Sequence, residues 1–261
     1  MSTILEHYDN LLADFYTWMF GDFDEQVELN EVFFQENGIR PETSNTAFDL
    51  GAGSGFQSIA LAKRGFNVKA IDLCNKLIDE LNSKKGKLDI ETVHDDLLNF
   101  KKFISDKVQV IVCMGDTLTH LKSLDDVEHL LRDVYNSIKD DGQLILSFRD
   151  LTSIIHETDR FIPVKSDNNI IFTCFLEYEK EYVKVHDLVY EKKGEKWDFK
   201  KSYYKKIIID PSWIKLKLKK NNFIIKYFSS MNGRIAIIAK KCKRIKRDQG
   251  VERALIQQFK E

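Results

Sequence analysis

From Thr46 to Phe148 the chain alternates short apolar runs with amphipathic helical patterns, and this alternation constrains the fold more than any other feature. "TAFDL" (46–50), "NVKAIDL" (67–73), "DIETVHD" (89–95), "VQVIVCM" (108–114) and "QLILSF" (143–148) read as strands. Between them, "GFQSIALAKRG", "NKLIDELNSKK" and "VEHLLRDVYNSIK" repeat apolar residues three and four apart, which is helical spacing. Strands that alternate with helices require right-handed crossovers and a parallel sheet covered on both faces. This half of the chain is therefore expected to be a doubly wound α/β domain.

The two ends modify that plan. Near the C-terminus, "FIIKYFSS" and "RIAIIAKK" flank "MNG", and Asn232-Gly233 is a hairpin signal. A hairpin reverses the last strand, so a seven-stranded, otherwise parallel sheet acquires one antiparallel member. Between Arg149 and Asp210, residues 170–209 show period-two polarity with short charged turns, which fits an antiparallel β meander inserted into the sheet. Asp210 and Pro211 read as the N-cap and first turn of a following helix. Before the first strand, "HYDNLLADFYTWMF" and "FDEQVELNEVFFQENGI" read as two helices. The expected organisation is a helical lid (1–44), an α/β core (45–150), a β insertion acting as substrate roof or dimer contact (151–209), completion of the core (210–241) and a basic tail (242–261).

Composition excludes several classes of function. Cys74, Cys113, Cys174 and Cys242 form no C-x-x-C pair, so structural thiols are expected rather than zinc or disulfides, and no metal site is assigned. The N-terminus carries acids where a signal peptide carries positive charge, and no apolar run approaches the roughly 18 residues of a membrane span. A cytoplasmic protein without a membrane partner is the expectation. Residues 1–49 hold eleven acids against the single base Arg40, whereas "KKCKRIKR" (240–247) is strongly basic. That run reads as a solvated tail rather than a nucleic-acid contact.

The loop "DLGAGSG" follows the first strand and opens the first core helix. Gly51, Gly53 and Gly55 let a ligand approach the backbone closely, but their G-x-G-x-G spacing departs from the dinucleotide fingerprint G-x-G-x-x-G. Asp49 sits just ahead of them, where it would repel a pyrophosphate and attract a cation. Asp72 ends the second strand, the position from which a carboxylate accepts hydrogen bonds from ribose hydroxyls. A ligand with a ribose, a positive charge and no need of a phosphate cradle fits these residues. S-adenosylmethionine meets all three conditions.

"DLGAGSG", "AIDL", "HDDLLNF", "VIVCMGDTLTHL" and the reversed terminal hairpin, taken in order, resemble the class I S-adenosylmethionine-dependent methyltransferases. The resemblance covers about residues 45–150 and 210–241 and implies a Rossmann-like sheet with the last strand reversed. It implies that the loop from Gly51 through Ala52 and Gly53 to Gly55 passes beneath the methionine part, that Asp72 binds the ribose and that Leu73 packs on adenine. It further implies that Asp96 and the Leu97 backbone meet the adenine amino group, with Asp95 as the alternative acid, and that Met114 and Gly115 line the transfer site. "CMGDTLTHL" is similar to the segment of glycine N-methyltransferase-like enzymes, with Asp116 and Thr117 replacing the usual polar pair.

Three further residues are candidates for catalysis. His120 lies beyond the fourth strand and either orients the acceptor, takes its proton, caps a helix or is simply exposed. Arg149 ends the fifth strand and either clamps an acceptor carboxylate or phosphate or pairs with Asp150 or Asp159. His186 in "VKVHDLVY" either serves the site or is a satisfied sheet histidine. Tyr8, Tyr16 and Trp18 either close over the cofactor or belong to the core. No N-P-P-Y motif follows the fourth strand and no pair of glutamates stands there, so a small-molecule acceptor is expected before RNA or protein. The rival readings are a cofactor-binding sensor or accessory protein without turnover, an RNA or protein methyltransferase, and a nicotinamide-dependent oxidoreductase. The insertion is also a candidate homodimer contact.

Overall fold

The computed structural model describes residues 3–42 and 44–242. Five core strands follow the expected order: β1 Thr46–Leu50, β2 Asn67–Asp72, β3 Ile90–His94, β4 Val108–Cys113 and β5 Ile138–Arg149. The insertion contributes β6 Phe161–Ser166, β7 Ile170–Tyr178, β8 Tyr182–Lys193 and β9 Lys196–Ile207. The chain then returns to the core with β10 Phe223–Met231 and β11 Arg234–Lys241.

The seven core strands form one sheet in the order β10-β11-β5-β4-β1-β2-β3. β1 to β5 are mutually parallel, and β11 runs antiparallel to both β5 and β10. The reversal has the expected cause: Asn232 and Gly233 hold φ of 50° and 69°, the two positive φ values of a type I′ turn. β4 lies near the centre of the sheet and is buried at every residue, which accounts for its apolar run from Val110 to Cys113; the one polar residue, Gln109, is bonded to the backbone of Arg40, Glu42 and Ser44.

Period-two alternation divides the core between two faces. Phe48, Leu50 and Ile111 join one apolar cluster with Leu130 and Ile214, which belong to helices α6 (Leu124–Ser137) and α7 (Pro211–Lys220). Ala47, Val110 and Val112 join the opposite cluster with Phe34 and Leu61, from α3 (Phe23–Glu36) and α4 (Phe56–Lys63). α5 spans Asn75–Lys84. The side chain of Asp210 caps α7 by accepting from the N–H groups of Ser212 and Trp213, with Pro211 in the first turn as the sequence suggests.

The insertion forms a separate four-stranded antiparallel sheet, β6-β7-β8-β9. It starts earlier than the sequence reading places it, because β6 contains Pro163, a residue that argues against a strand yet is tolerated at an edge beside a bulge. Its inner face carries Phe172 and Val189, on which Leu11, Leu12 and Phe15 of the N-terminal segment pack. That segment runs as α1 (Ile4–His7), a π-helical stretch (Tyr8–Leu12) and α2 (Ala13–Phe20). It therefore bridges the second sheet and the carboxyl edge of the first. Among the described residues no helix is long and apolar enough to cross a membrane. The expected basic tail lies outside the described residues beyond Cys242.

Candidate active site

Two cavities open at the carboxyl edge of the main sheet, where open α/β sheets place their ligands. The larger, of about 570 Å³, is lined by Gly51, Gly53, Asp72, Leu73, Asp96 and Leu97. The smaller, of about 340 Å³, lies under the inner face of the insertion and is lined by Gly115, Asp116, Arg149, Tyr204, Lys206 and Arg234. Tyr8, Tyr16, Thr117 and His120 line both cavities and so form the boundary between them. The π-helical stretch, a device often found at functional sites, is what carries Tyr8 to this boundary.

The loop glycines divide by cause. Gly51 has φ of 77°, and a Cβ there would lie 2.2 Å from Cγ2 of Thr117. Gly55 has φ of 96°, and a Cβ would lie 2.2 Å from Cδ1 of Leu81. These two are required by the protein's own packing, and Gly55, with Ala52, does not line the larger cavity. Gly53 faces that cavity beneath the ring of Tyr16.

Asp72 anchors the loop as well as facing the cavity. Its Oδ2 accepts from the Gly53 N–H at 2.8 Å and its Oδ1 from the Cys74 N–H at 2.8 Å. Burial raises its pKa against the opposing pull of these hydrogen bonds. Of the doubled acid, Asp96 lines the cavity and caps the following turn by accepting from Leu98 N–H at 2.9 Å. Asp95 does not line it; its Oδ1 accepts from Asn99 Nδ2 at 2.7 Å.

Asp49 sits deeper than the sequence reading places it. It is 1% exposed and its Oδ2 accepts from the Ser58 hydroxyl at 2.6 Å. Burial pushes its pKa up to about 7. It lines neither cavity, so its attraction for a cation acts through the loop and is weakened by partial neutralisation. Met114 likewise packs against the apolar core, while its neighbour Gly115 faces the smaller chamber.

His120 and Arg149 meet in the smaller chamber, and His186 does not. His120 sits edge-on to Tyr8 and Tyr204, at centroid distances of 5.9 and 5.4 Å, and its Nε2 is buried without a partner among the described residues. Burial, then the nearby Lys206 ammonium, lowers its pKa to about 3, so the ring is neutral. Arg149 makes no ion pair within 4 Å among the described residues. Asp150, one of its two expected partners, instead accepts from the Thr152 hydroxyl at 2.6 Å. His186 lies on the outer face of the insertion, 3.0 Å from Glu177 and stacked on Tyr203, the satisfied sheet histidine of the two expectations. Tyr8 and Tyr16 face both cavities; Trp18 does not, and its Nε1–H donates to Asp167 at 2.8 Å.

Four residues of the chamber escaped the sequence reading. Asp187 is a charged residue in the inward phase of β8, among Val183, Val185 and Val189, and that interruption of the alternation was the available signal; Lys206 shares its phase of β9 with Lys200, Ser202 and Tyr204, a mostly polar set that gives no such signal. Lys206 Nζ donates to Asp116 Oδ2. Burial opposes ionisation of Asp116, but Lys206, with Arg234 and Arg149, holds its carboxyl well below the usual range. Tyr204 reads as an ordinary strand aromatic. Arg234 follows the hairpin turn, and only the strand pairing brings it to this edge, opposite Arg149.

Residues 47–142 match the family described as methyltransferase domain. Over 121 residues, 46% of this chain and 46% of the relative, the sequence is 29% identical to a glycine/sarcosine N-methyltransferase of Aphanothece halophytica. A glycine/sarcosine N-methyltransferase of Halorhodospira halochloris is 24% identical over 70% of this chain and 78% of its own length. The match thus spans about half the length of the first relative and more of the second. An S-adenosylmethionine-dependent methyltransferase from Clostridium acetobutylicum superposes with a TM-score of 0.70 at 18% identity, covering 90% of this chain and 96% of that one, which establishes the shared fold. Residues 47–142, which include the glycine loop, thus form a methyltransferase domain within a fold shared with that solved structure.

Proposed function

We propose that the chain transfers a methyl group from S-adenosylmethionine to a nitrogen or oxygen atom of a small-molecule acceptor. The observation that carries this reading is the pair of adjoining cavities, one at the glycine loop and one under the insertion, that share a wall of Tyr8, Tyr16, Thr117 and His120. The larger cavity suits the cofactor. Its volume of about 570 Å³ falls within the usual range for small-molecule sites, Asp72 offers a carboxylate for ribose hydroxyls, and Ile71, Leu73 and Leu97 supply apolar walls for a base. Asp96 stands ready to accept from an exocyclic amine. The cofactor supplies an activated methyl group on a sulfonium with a built-in leaving group.

The residues of the chain then have three tasks. The N-terminal segment (1–44) acts as a lid and the insertion (151–209) as a roof, and both exclude water from the shared wall. Thr117 and Gly51 hold the loop geometry, which keeps the two cavities in register. His120, neutral and with a free Nε2, accepts a hydrogen bond from the acceptor and orients it. A ring with a pKa of about 3 is a weak base, and Tyr8, Tyr16 and Tyr204 have pKa values raised by burial and stay protonated. The boundary therefore suits a nucleophile that attacks with its own lone pair, which favours an amine over a hydroxyl.

The outer face of the insertion is the proposed dimer contact. Ile171, Tyr190 and Phe199 are paired in register across three strands and all exposed. Sedimentation of the full chain against a Tyr190→Glu, Phe199→Glu double variant tests it: a dimer that becomes a monomer supports the contact. The function itself is tested by transfer of a labelled methyl group from S-adenosylmethionine into a cell extract fractionated by size, with Asp72→Ala as control. Label among metabolites supports the reading; label in RNA or protein, or none despite cofactor binding, overturns it.

A further inference from the structure

Across the β5–β11 ladder, Arg149 and Arg234 are direct antiparallel partners, and both line the smaller chamber. Opposed residues of an antiparallel pair project to the same face of the sheet, so the two guanidinium groups share one side. The remaining charged groups of the chamber are committed elsewhere. Asp116 receives the Lys206 ammonium on Oδ2 and the Arg149 backbone N–H on Oδ1 at 3.0 Å. Asp187 lies 2.8 Å from His7 Nε2 and accepts from the Cys174 thiol at 2.9 Å. Neither arginine has a carboxylate within 4 Å or a side-chain hydrogen bond among the described residues.

Two partly buried guanidinium groups side by side repel each other, and the nearby Asp116 carboxylate offsets this only in part because its Oδ2 already holds the Lys206 ammonium; an oxyanion between the arginines removes the repulsion while accepting their planar donor pairs. We infer that Arg149 and Arg234 together bind an oxyanion group of the methyl acceptor, which makes the acceptor a small amine that also bears a carboxylate or a phosphoryl group. The inference rests on the methyl-transfer reading for the word acceptor, and on the geometry alone for the anion. It extends the single-arginine clamp expected from sequence by a second residue from another strand. The chamber of about 340 Å³ lies at the small end of ligand sites, so the acceptor is itself small.

The anion site can be tested without any enzymatic activity. The Nε–Hε resonances of Arg149 and Arg234, assigned in the full chain from their loss in Arg149→Lys and Arg234→Lys, are followed during titration with acetate, inorganic phosphate or neutral acetamide. Saturable shifts of both resonances with acetate or phosphate, and none with acetamide, are the expected result; the tighter of the two anions distinguishes a carboxylate from a phosphoryl source. Equal shifts with acetamide, or no saturation with either anion, overturn the site. The substrate class is tested by electrophoresis of the labelled product, which is expected to gain negative charge between about pH 2 and about pH 7. A product without an acidic group overturns the inference while methyl transfer stands; absence of any labelled product overturns the methyl-transfer reading while the anion titration still decides the site. Arg234→Gln is expected to raise the acceptor KM by about tenfold or more with cofactor affinity unchanged. Equal loss of cofactor binding would instead mark Arg234 as structural.

Discussion

His7 of the first helix and Asp187 of β8 stand 180 positions apart in the chain, yet His7 Nε2 and Asp187 Oδ2 lie 2.8 Å apart with both side chains almost wholly buried. The pair fastens the N-terminal segment to the insertion directly above the smaller chamber. Removing one partner leaves the other buried with less compensation, a situation that costs more than the intact pair contributes. His7→Ala is expected to lower stability by roughly 2–4 kcal/mol in denaturant unfolding. A loss near zero would mean that the apolar contacts of Leu11, Leu12 and Phe15 hold the segment by themselves.

Asp72 is expected to dominate recognition of the ribose. Titration calorimetry with S-adenosylhomocysteine should show Asp72→Ala weakening affinity by roughly 1.5–3 kcal/mol. Because the same carboxylate also holds the Gly53 and Cys74 N–H groups, the variant should in addition unfold at a lower temperature. Unchanged affinity would remove Asp72 from the cofactor site.

Gly51 and Thr117 form a testable steric pair. Gly51→Ala places a methyl 2.2 Å from Thr117 Cγ2 at a positive φ, and the two effects together should cost roughly 1–3 kcal/mol in stability. Adding Thr117→Gly removes the clash and leaves the backbone strain, so the double variant should recover part of the loss. If Gly51→Ala binds the cofactor and folds like the parent chain, the close approach is not real in solution.

His120 should make the protein acid-sensitive. In the unfolded chain its imidazole takes up a proton below about pH 6.5, while in the folded chain it stays neutral down to about pH 3. The folded pKa is thus depressed, the unfolded state binds more protons in that window, and stability falls as pH falls through it. At pH 5 the deficit is roughly 2 kcal/mol relative to pH 8, and His120→Phe should abolish that share of it. Asp49, raised to about 7 by burial, acts in the opposite sense, but it is common to both proteins and cancels in the difference. Parallel stability curves for the two proteins would refute the buried neutral histidine.

Local pattern was sufficient for the architecture of the main sheet. The alternation of apolar runs and helical spacings, the caps at Asp210 and Pro211 and the two positive φ values of Asn232-Gly233 are properties of short segments, and they specify strands, helices and one reversal. Asp72, Leu73, Asp96 and Leu97 were legible for the same reason: each stands at the end of a strand, and strand ends of a parallel sheet share one edge. The depth of a residue behind that edge was not legible, which is why Asp49 and Met114 prove to lie in the packing beneath the site.

The smaller chamber belongs to the tertiary structure. His186 and Asp187 are neighbours in sequence, and only the face on which the insertion packs sends Asp187 inward to His7 and His186 outward to Glu177. A shift of one residue in strand phase would exchange them; Val183, Val185 and Val189 mark the inward phase, but Leu188 and Tyr190 in the other phase leave the local pattern of "VKVHDLVY" mixed. Arg149 and Arg234 likewise meet through hydrogen bonding between strands separated by the whole insertion. The sequence by itself determined a parallel sheet, its reversed strand and the strand-end residues around the larger cavity, because these follow from local periodicity. Tertiary structure alone decided the charge pattern of the smaller chamber, because that pattern arises from register and facing between segments distant in the chain.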